Sequence, residues 1–318
     1  MQPSDARPHT PVLLGETVSA LVTHPGGTYV DCTAGAGGHS AAILEAAGPD
    51  ARLLAIDRDP SALAIAAERL APFGNRAILR RAAFSTVADV VRDLALPPLR
   101  GVLMDIGVSS MQLDRPERGF SFQADAPLDM RMDPDAPVDA ASLLATLDEP
   151  ALADILRRYG EEPQARRVAH AVADARRRGA LPATTAALAA LVERAKGGRR
   201  GHLHPATQTF QALRIAVNRE LDELETALPA AFSLLEPGGR LAVITFHSLE
   251  DRIAKNFMAA HEGRMESLMA GGARWSGIPP RGRRVNRHPL VASDAETLSN
   301  PRARSAKLRI LERTPSDA

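Results

Sequence analysis

A glycine-rich turn and a later aspartate are the first residues of this chain whose types and spacing suggest chemistry. The turn, Gly35-Ala36-Gly37-Gly38-His39-Ser40, follows an apolar run at Tyr29 to Ala34 and precedes a stretch with helical spacing. A strand, such a turn and a helix N-terminus together present backbone N–H groups to a ligand. Asp57 lies about 20 residues further on, where a carboxylate can accept hydrogen bonds from a ribose diol. The pattern therefore predicts a nucleotide-like cofactor.

The spacing alone does not distinguish NAD from S-adenosylmethionine, because both carry an adenosine ribose. The last position of the turn is Ser40, where the NAD fingerprint prefers a small residue such as glycine. Asp31 precedes the turn, and Asp105 ends a later apolar run. Acids suit a cationic sulfonium and would repel a pyrophosphate. We therefore favour S-adenosylmethionine, while close helix–sheet packing remains the alternative explanation of the glycines.

These residues lie in a pattern of alternating strands and helices. Strands are predicted at Tyr29 to Ala34, Arg52 to Asp57, Arg76 to Arg81, Gly101 to Ile106 and Leu241 to Phe246, with a closing edge strand at Lys307 to Glu312. Helical spacing separates the first four of them. This alternation predicts an α/β fold with a parallel sheet covered on both faces.

The alternation is interrupted between about Ser109 and His204, where the spacing predicts helices at 140–147, 150–159, 163–178 and 184–195. We interpret this stretch as an inserted helical domain. The predicted domains are thus residues 1–112 as the first part of the sheet domain, 113–205 as the insertion, and 206–318 as the second part. The last part is expected to contain a long helix at 208–228 and a long loop at 270–301.

Composition places the chain among soluble globular proteins of about two domains. Its 318 residues are 45% hydrophobic and 24% charged, and the net charge is +1. No apolar run approaches the roughly 20 residues that cross a bilayer, the start lacks the layout of a secretory signal, and the lone Cys32 has no disulfide partner. We expect a cytoplasmic protein. Basic residues outnumber acidic ones between Arg264 and Arg313, which predicts a surface for a polyanion.

Eight segments resemble one known family, the ribosomal RNA small subunit methyltransferase H or MraW-like family. They are HTPVLLGETV from His9, DCTAGAGGHS from Asp31, LLAIDRDP from Leu53, DIGVSSMQLD from Asp105, ERGFSF from Glu117, PLDMRMDP from Pro127, HLHPATQTFQALRIAVNREL from His202, and TFHSLEDR from Thr245. The resemblance covers most of the chain.

The resemblance implies a Rossmann-like S-adenosylmethionine-dependent methyltransferase sheet with an inserted helical domain for substrate recognition. It implies methylation of the N4 amine of a cytidine in 16S ribosomal RNA near the P site. The expected partner is that RNA or the small ribosomal subunit, with no membrane, and a homodimer is left open. Carried over by position, the cofactor contacts are Gly37, Gly38, His39, Asp57, Phe84, Asp105 and Gln112.

The amine of cytosine needs a group that holds it and receives its proton. DNA amino-methyltransferases place an Asn/Asp/Ser-Pro-Pro-aromatic loop after the fourth strand, whereas this chain reads DIGVSS at residues 105–110, so their mechanism is not transferred. The candidate catalytic residues are Asp129, Arg131 and His247. No metal site is predicted, and His202 and His204 are interpreted as loop residues.

Arginines of the insertion are predicted to contact RNA phosphates, together with the basic loop that carries Trp275 and residues 281–287. These arginines are Arg157, Arg158, Arg166, Arg167, Arg176, Arg177 and Arg178. Phe120, Phe122 and Trp275 are the candidates for base stacking. Three other functions stay open at this point: an NAD-linked oxidoreductase, a non-catalytic RNA-binding assembly factor, and methylation of a small molecule or protein.

Overall fold

A mixed sheet of seven strands forms the centre of the larger of two compact units. The computed structural model describes residues 11–199, 203–269, 271–276 and 281–315. Unit 1 comprises the chain up to Gly107 and from Leu221 onward, and unit 2 extends from Val108 to Glu220. The sequence-based domain boundaries lie at 112/113 and 205/206 instead.

The described residues form nine strands and thirteen α-helices. The strands are β1 (Gly27–Asp31), β2 (Ala51–Asp57), β3 (Ala77–Arg81), β4 (Leu99–Asp105), β5 (Leu235–Thr245), β6 (Arg264–Ser267), β7 (Ala273–Ser276), β8 (Gly282–Arg284) and β9 (Lys307–Arg313). The helices are α1 (Leu14–Leu21), α2 (Gly38–Ala47), α3 (Pro60–Leu70), α4 (Val87–Asp93), α5 (Ser110–Leu113), α6 (Ala140–Thr146), α7 (Glu149–Gly160), α8 (Ala165–Arg177), α9 (Thr185–Lys196), α10 (Thr207–Asn218), α11 (Glu220–Ser233), α12 (Ser248–Glu262) and α13 (Asp294–Ser299).

The main sheet has the strand order β3-β2-β1-β4-β5-β9-β8. Strands β1 to β5 are parallel, and β9 runs antiparallel to both β5 and β8. The predicted α/β class is therefore confirmed. The prediction that Lys307 to Glu312 forms an edge strand is wrong, because the three-residue strand β8 pairs with β9 and covers that edge. A strand as short as β8 has too few residues to display a hydrophobic period, so the sequence pattern did not indicate it.

Apolar strands buried on both faces explain why the sheet lies between two layers of helices. Leu53, Leu54 and Ile56 of β2 are fully buried. Side chains from α1, α2 and α3 form one core cluster with the strands, and those from α4, α11 and α12 form a second cluster. The strand order reverses between β1 and β4, so the carboxyl ends of these two neighbours border the crevice where open α/β sheets bind ligands.

Unit 2 contains α5 to α10 and has a core of its own. Asp139, Asp148 and Thr184 cap the N-termini of α6, α7 and α9 with side-chain oxygens. Buried residues of α6 to α10 form a single apolar cluster. Gly160 of α7 lies so close to α10 that an added Cβ would overlap the backbone oxygen of Gln208, which explains why α10 groups with the helical unit.

Two predicted stretches differ from the structure. The helix predicted at 208–228 is broken at Arg219, whose φ of 52° is left-handed and ends α10 before α11 begins. The loop predicted at 270–301 contains β7, β8 and α13. None of the described helices has the length and apolar character needed to cross a membrane.

Candidate functional site

The three glycines of the turn between β1 and α2 have different surroundings. Gly35 and Gly37 adopt left-handed backbones with φ of 51° and 76°. An added Cβ would lie 3.2 Å from Cα of Ala66 in α3 at Gly37 and would overlap Pro11 at Gly38. At Gly35 its nearest neighbour would be an oxygen 3.9 Å away. Gly37 and Gly38 therefore permit close packing, whereas the backbone at Gly35 is left open to a ligand.

Asp57, at the end of β2, is tied to the same turn. Its two carboxylate oxygens accept hydrogen bonds from the backbone N–H groups of Gly35 at 2.8 Å and Asp59 at 2.9 Å. Burial raises the pKa of Asp57, and these two hydrogen bonds oppose the rise. Each carboxylate oxygen has a second lone pair, so the residue keeps capacity to accept from a ribose hydroxyl.

Asp31 and Ser40 form a buried pair below the turn. The Ser40 hydroxyl donates to Asp31 Oδ2 at 2.7 Å, and the Thr33 amide donates to Asp31 Oδ1 at 3.1 Å. Burial raises the pKa of Asp31 to about 6 despite these hydrogen bonds. The hydrogen bond to Asp31 therefore explains the serine at position 40, where the NAD fingerprint prefers a small residue such as glycine.

Asp105, at the end of β4, carries an acid oxygen that the surrounding protein does not satisfy. Its backbone N–H donates to the Thr33 hydroxyl at 2.7 Å, but Oδ1 is buried and has no hydrogen-bond partner in the described part of the chain. Burial, and then the negative charges of Asp31 and Glu250, raise the pKa of Asp105 to about 8. A buried, unpartnered carboxyl group is costly for folding and is typical of a functional site.

His39 links the turn to Asp105. Its Nε2 lies 3.0 Å from the carbonyl oxygen of Val12, and its Nδ1 lies 3.6 Å from Asp105 Oδ2. A carbonyl oxygen can only accept, so Nε2 carries a hydrogen. In neutral His39 the Nδ1 atom then faces Asp105 with a lone pair, at a distance longer than that of a hydrogen bond.

Phe84 lies in a short 3-10 helix after β3, Phe84–Thr86. Its ring is half-buried, packs against the second core cluster of unit 1 and has the Arg58 guanidinium 5.7 Å from its centroid. Arg58 is itself paired with Glu223 at 3.3 Å. The ring is therefore held in place at the carboxyl edge of the sheet, next to β2.

His247 follows β5 and immediately precedes α12. Glu250 is fully buried, and its Oε2 accepts hydrogen bonds from the amides of Phe246 at 2.8 Å and His247 at 3.3 Å. The other oxygen, Oε1, lies 2.8 Å from His247 Nε2. The Nδ1 atom of His247 is buried without a hydrogen-bond partner among the described residues. The Oε1 and Nε2 atoms are close but do not form a hydrogen bond, so neither ring nitrogen of His247 is hydrogen-bonded among the described residues.

Gln112 belongs to unit 2 and is buried in α5. Its side-chain Oε1 accepts from the Ser109 backbone amide at 3.1 Å, while its backbone N–H donates to the Ser109 hydroxyl at 3.2 Å. These contacts hold the short helix that begins at the last residue of the DIGVSS segment.

Asp129 and Arg131, also in unit 2, form an ion pair with two parallel hydrogen bonds. Arg131 Nε and Nη2 donate to the two carboxylate oxygens at 2.9 and 2.8 Å. The loop is fastened to α10 by the Asn218 side chain, which donates to Met130 O and accepts from the Met132 amide, both at 2.7 Å. Burial alone raises the pKa of Asp129, but the hydrogen bonds from Arg131 outweigh it and hold the pKa below its usual value. Asp129 is therefore a weak base.

The aromatic residues predicted to stack on bases are placed differently from that expectation. Phe120 is buried in the helical core, and Phe122 packs against His204 and Phe210 with ring centroids 4.6 and 4.8 Å away. Phe120 is therefore a core residue, so the stacking prediction for it is wrong, whereas the half-buried ring of Phe122 stays a candidate for stacking. The side chain of Trp275, like residues His9 and His202, lies outside the described part of the structure.

The described residues of unit 1 fit S-adenosylmethionine. The open backbone at Gly35 and the acid at the end of β2 suit an adenosine ribose, and the ring of Phe84 offers an apolar face. The unpartnered oxygen of Asp105 suits a cation, which lowers the pKa of a neighbouring acid. A pyrophosphate at the same edge of the sheet would be repelled by two further acids, Asp31 and Asp57.

Sheet order, turn and acids together define a Rossmann-like α/β protein, and the switch point between β1 and β4 is where sheets of this kind bind their ligands. The model of the MraW methylase family matches residues 6–314. The chain belongs to that family, so the family resemblance is confirmed, the protein is a methyltransferase, and its cofactor is S-adenosylmethionine.

Curated relatives about half identical to this chain carry one name, ribosomal RNA small subunit methyltransferase H. The protein of Rhodopseudomonas palustris strain CGA009 is 51% identical and matches 100% of this chain and 94% of its own length. That of Symbiobacterium thermophilum is 50% identical, with 95% of each chain covered. Among solved structures, a putative rRNA-methylase from Clostridium thermocellum is 12% identical over 96% of this chain and 99% of that chain, with a TM-score of 0.43, too low to support an argument.

Several residues that hold the site together were not predicted from the sequence. Thr33, which accepts from the Asp105 amide, Glu250, which lies against His247, and Val12, whose carbonyl contacts His39, are all part of the quoted motifs, and that was the available signal. Glu296, which contacts Leu13, comes from a distant segment, and no local pattern relates it to the turn.

Proposed function

We propose that this methyltransferase transfers a methyl group from S-adenosylmethionine to the N4 amine of a cytidine in 16S ribosomal RNA, near the P site. The unpartnered carboxyl oxygen of Asp105 beside the glycine turn carries the proposal. The name shared by the relatives supports a small-subunit ribosomal RNA as substrate, and the sequence resemblance supports the cytidine amine. We place the reaction in the cytoplasm, because its proposed substrate is the ribosome.

In this proposal the turn residues Gly37, Gly38 and His39 bind the amino-acid part of the cofactor, and Asp57 accepts from its ribose. Phe84 packs against the adenine, and Gln112 contributes from α5. When bound, the cofactor supplies a methyl group activated by a positive sulfur. Asp105 then stays ionised, because a cation next to a carboxyl group favours its charged form.

The proton of the cytidine amine needs an acceptor, and His247 fits this role better than Asp129. Glu250 Oε1 lies 2.8 Å from Nε2 of the His247 ring, and no described residue hydrogen-bonds Nδ1. A histidine beside a carboxylate is a common general base. Asp129, held by Arg131 in a bidentate pair with a lowered pKa, is suited to orient Arg131 toward the substrate. Asp129 and Arg131 are therefore proposed to hold the base, and His247 to accept the proton.

Arg166 and Arg167 of α8 are the proposed phosphate contacts of unit 2. Arg157 and Arg158 are paired with Asp154, and Arg177 and Arg178 with Asp174. Arg166 and Arg167 are exposed, and no carboxylate pairs with either in the described structure. Guanidinium groups without a carboxylate partner are the ones free to neutralise phosphates. In the basic loop of unit 1, Arg283 and Arg284 are already paired with Glu312 and Glu262.

The test is the identity of the methylated nucleoside. Small ribosomal subunits from a strain lacking this gene are incubated with labelled S-adenosylmethionine and wild-type protein, and the digested RNA is analysed by mass spectrometry. We expect label in N4-methylcytidine from 16S RNA, its loss with Asp105→Asn, and full activity with Asp294→Asn, an exposed acid of α13. Label in another nucleoside, or full activity of Asp105→Asn, would overturn the proposal.

A further inference from the structure

The segment Pro11 to Leu13, which we call the N-terminal strap, lies directly on the glycine turn of unit 1. The Pro11 ring occupies the space in which a side chain at Gly38 would sit. The carbonyl oxygen of Val12 accepts from His39 Nε2 at 3.0 Å. Two of the residues proposed to bind the cofactor therefore contact the strap, and the orientation of the His39 ring depends on it.

The strap is held in an unfavourable backbone conformation. Leu13 has φ 52° and ψ 37°, is fully buried and precedes the first residue of α1. A left-handed backbone is uncommon for a residue other than glycine and persists only where the surroundings impose it. Leu13 therefore needs contacts that keep it in place.

One of those contacts comes from the other end of the chain. The Leu13 amide donates to Glu296 Oε1 at 2.7 Å. Glu296 is half-buried in the first turn of α13, where the Ser293 hydroxyl accepts from the Glu296 amide at 3.1 Å. Ala292, just before this helix, packs against the first core cluster of unit 1. Glu296 thus sits on an anchored element and presents its carboxylate to the start of α1, where a negative charge is favourable.

We propose that Glu296 is a positioning residue of the methyl-donor site, which acts through the strap on His39 and Asp105. The path consists of three contacts: Glu296 to the Leu13 amide, the adjoining Val12 carbonyl to His39 Nε2, and His39 Nδ1 to Asp105 Oδ2 at 3.6 Å. The proposal rests on S-adenosylmethionine as cofactor and does not depend on the identity of the methylated nucleoside.

Loss of the Glu296 carboxylate leaves the buried Leu13 N–H without its acceptor. A buried unpaired N–H is unfavourable, so the strap is expected to shift until that group finds water. A shift of the Val12 carbonyl lengthens its hydrogen bond with His39 Nε2 and weakens one restraint on the ring that faces Asp105. The expected consequence is a weaker and less ordered donor site in a protein whose sheet is unchanged.

The experiment measures cofactor binding without RNA. Wild type, Glu296→Ala, Glu296→Gln and the matched control Asp294→Ala, an exposed acid two residues earlier on α13, are titrated with S-adenosylhomocysteine by calorimetry. Glu296→Ala should weaken binding by about 5- to 20-fold, the effect expected for one lost hydrogen bond to a charged group. Glu296→Gln keeps an acceptor oxygen and should stay within about twofold of wild type, as should Asp294→Ala.

A second readout follows the His39 ring in the cofactor-free protein. In 15N NMR spectra, Glu296→Ala should shift the His39 ring nitrogens and Asp294→Ala should not. This readout also applies to Glu296→Asp, whose shorter side chain keeps the charge but not the reach, if the alanine variant fails to fold. Unchanged affinity and unchanged His39 signals in Glu296→Ala, or an equal loss in Glu296→Gln, would overturn the proposal. Absence of binding by the wild type would instead overturn the cofactor site itself, and methylation of a different nucleoside would leave this result intact.

Discussion

At the scale of single residues, Asp105 combines a cost in stability with a use in binding. Its carboxyl oxygen is buried without a partner, and burial with two nearby acids raises its pKa to about 8. An acid whose pKa is higher in the folded than in the unfolded protein stabilises the fold at low pH and loses that contribution as pH rises toward the folded pKa. The group is favourable only when a cation is bound beside it.

The variant Asp105→Asn should therefore stabilise the cofactor-free protein at high pH. At pH 5 the wild-type carboxyl is protonated in the folded state and resembles an amide, so the two proteins should have similar unfolding free energies. At pH 9 the wild type carries a buried charge, and the variant should be more stable by roughly 1 to 3 kcal/mol. Urea unfolding at both pH values measures the difference. A pH-independent difference between the two proteins would contradict the raised pKa of Asp105.

At the scale of secondary-structure elements, α8 carries arginines with different roles. Arg176 is half-buried and donates to the carbonyl oxygens of Leu144, Ala145 and Leu147 at 3.3, 2.9 and 2.6 Å. Those carbonyls lie at the C-terminal end of α6, where the last backbone C=O groups have no hydrogen-bond partner within the helix. Arg166 and Arg167 lie on the exposed surface at the start of the same helix. One arginine thus holds two helices together, and the other two are available to a ligand.

These two roles predict that substitutions in α8 affect different properties, stability in one case and RNA affinity in the other. Arg176→Ala should lower the unfolding free energy by about 1 to 2 kcal/mol, because three carbonyl groups lose a charged donor. The double variant Arg166→Ala/Arg167→Ala should leave stability within about 0.5 kcal/mol, while RNA affinity falls and the slope of log affinity against log salt decreases by about 1 to 2. Filter binding at several salt concentrations and thermal melts measure both effects. Wild-type RNA binding by the double variant would exclude these two arginines as phosphate contacts.

At the scale of the whole molecule, the chain builds separate cores from interleaved segments. The two clusters of unit 1 use residues on both sides of the helical stretch, and the cluster of unit 2 uses only residues within it. A core of this size suffices for a domain of about 100 residues. The helical unit should therefore fold without the sheet.

A fragment of residues 108–220 should show a helical circular dichroism spectrum and a cooperative thermal transition. The matched fragment 113–205, which follows the boundaries expected from the sequence, lacks α10 and with it the buried residues Ala206, Phe210, Ala212 and Leu213. Loss of these core side chains should leave it largely unfolded, because burial of Phe210 and of Leu213 contributes roughly 1.5 to 3 kcal/mol each. Equal stability of the two fragments would show that α10 is not part of the helical domain.

Much of the fold and part of the candidate site could be predicted from the sequence. Apolar runs and helical spacing identify β1 to β4 and α6 to α9 to within a few residues, because the local sequence displays their hydrophobic period. The fifth strand was predicted to begin at Leu241, whereas β5 begins at Leu235, since the polar turn before Leu241 interrupts its apolar run. The glycine turn, Asp57 and Asp105 were identified because motif residues at strand ends cluster at one edge of a parallel sheet. The short strand β8 and the break at Arg219 were missed, since neither changes the local hydrophobic pattern.

The sequence by itself determined the fold class, the family and the acids proposed to face a cationic cofactor. Only the tertiary structure decided which polar groups have hydrogen-bond partners and which do not. It placed Glu296 against the strap that contains Val12, engaged Asp129 with Arg131, and left Asp105 Oδ1 without a partner among the described residues. The reason is physical: local sequence sets backbone preference and hydrophobic period, whereas the availability of a charge depends on neighbours that folding brings from distant parts of the chain.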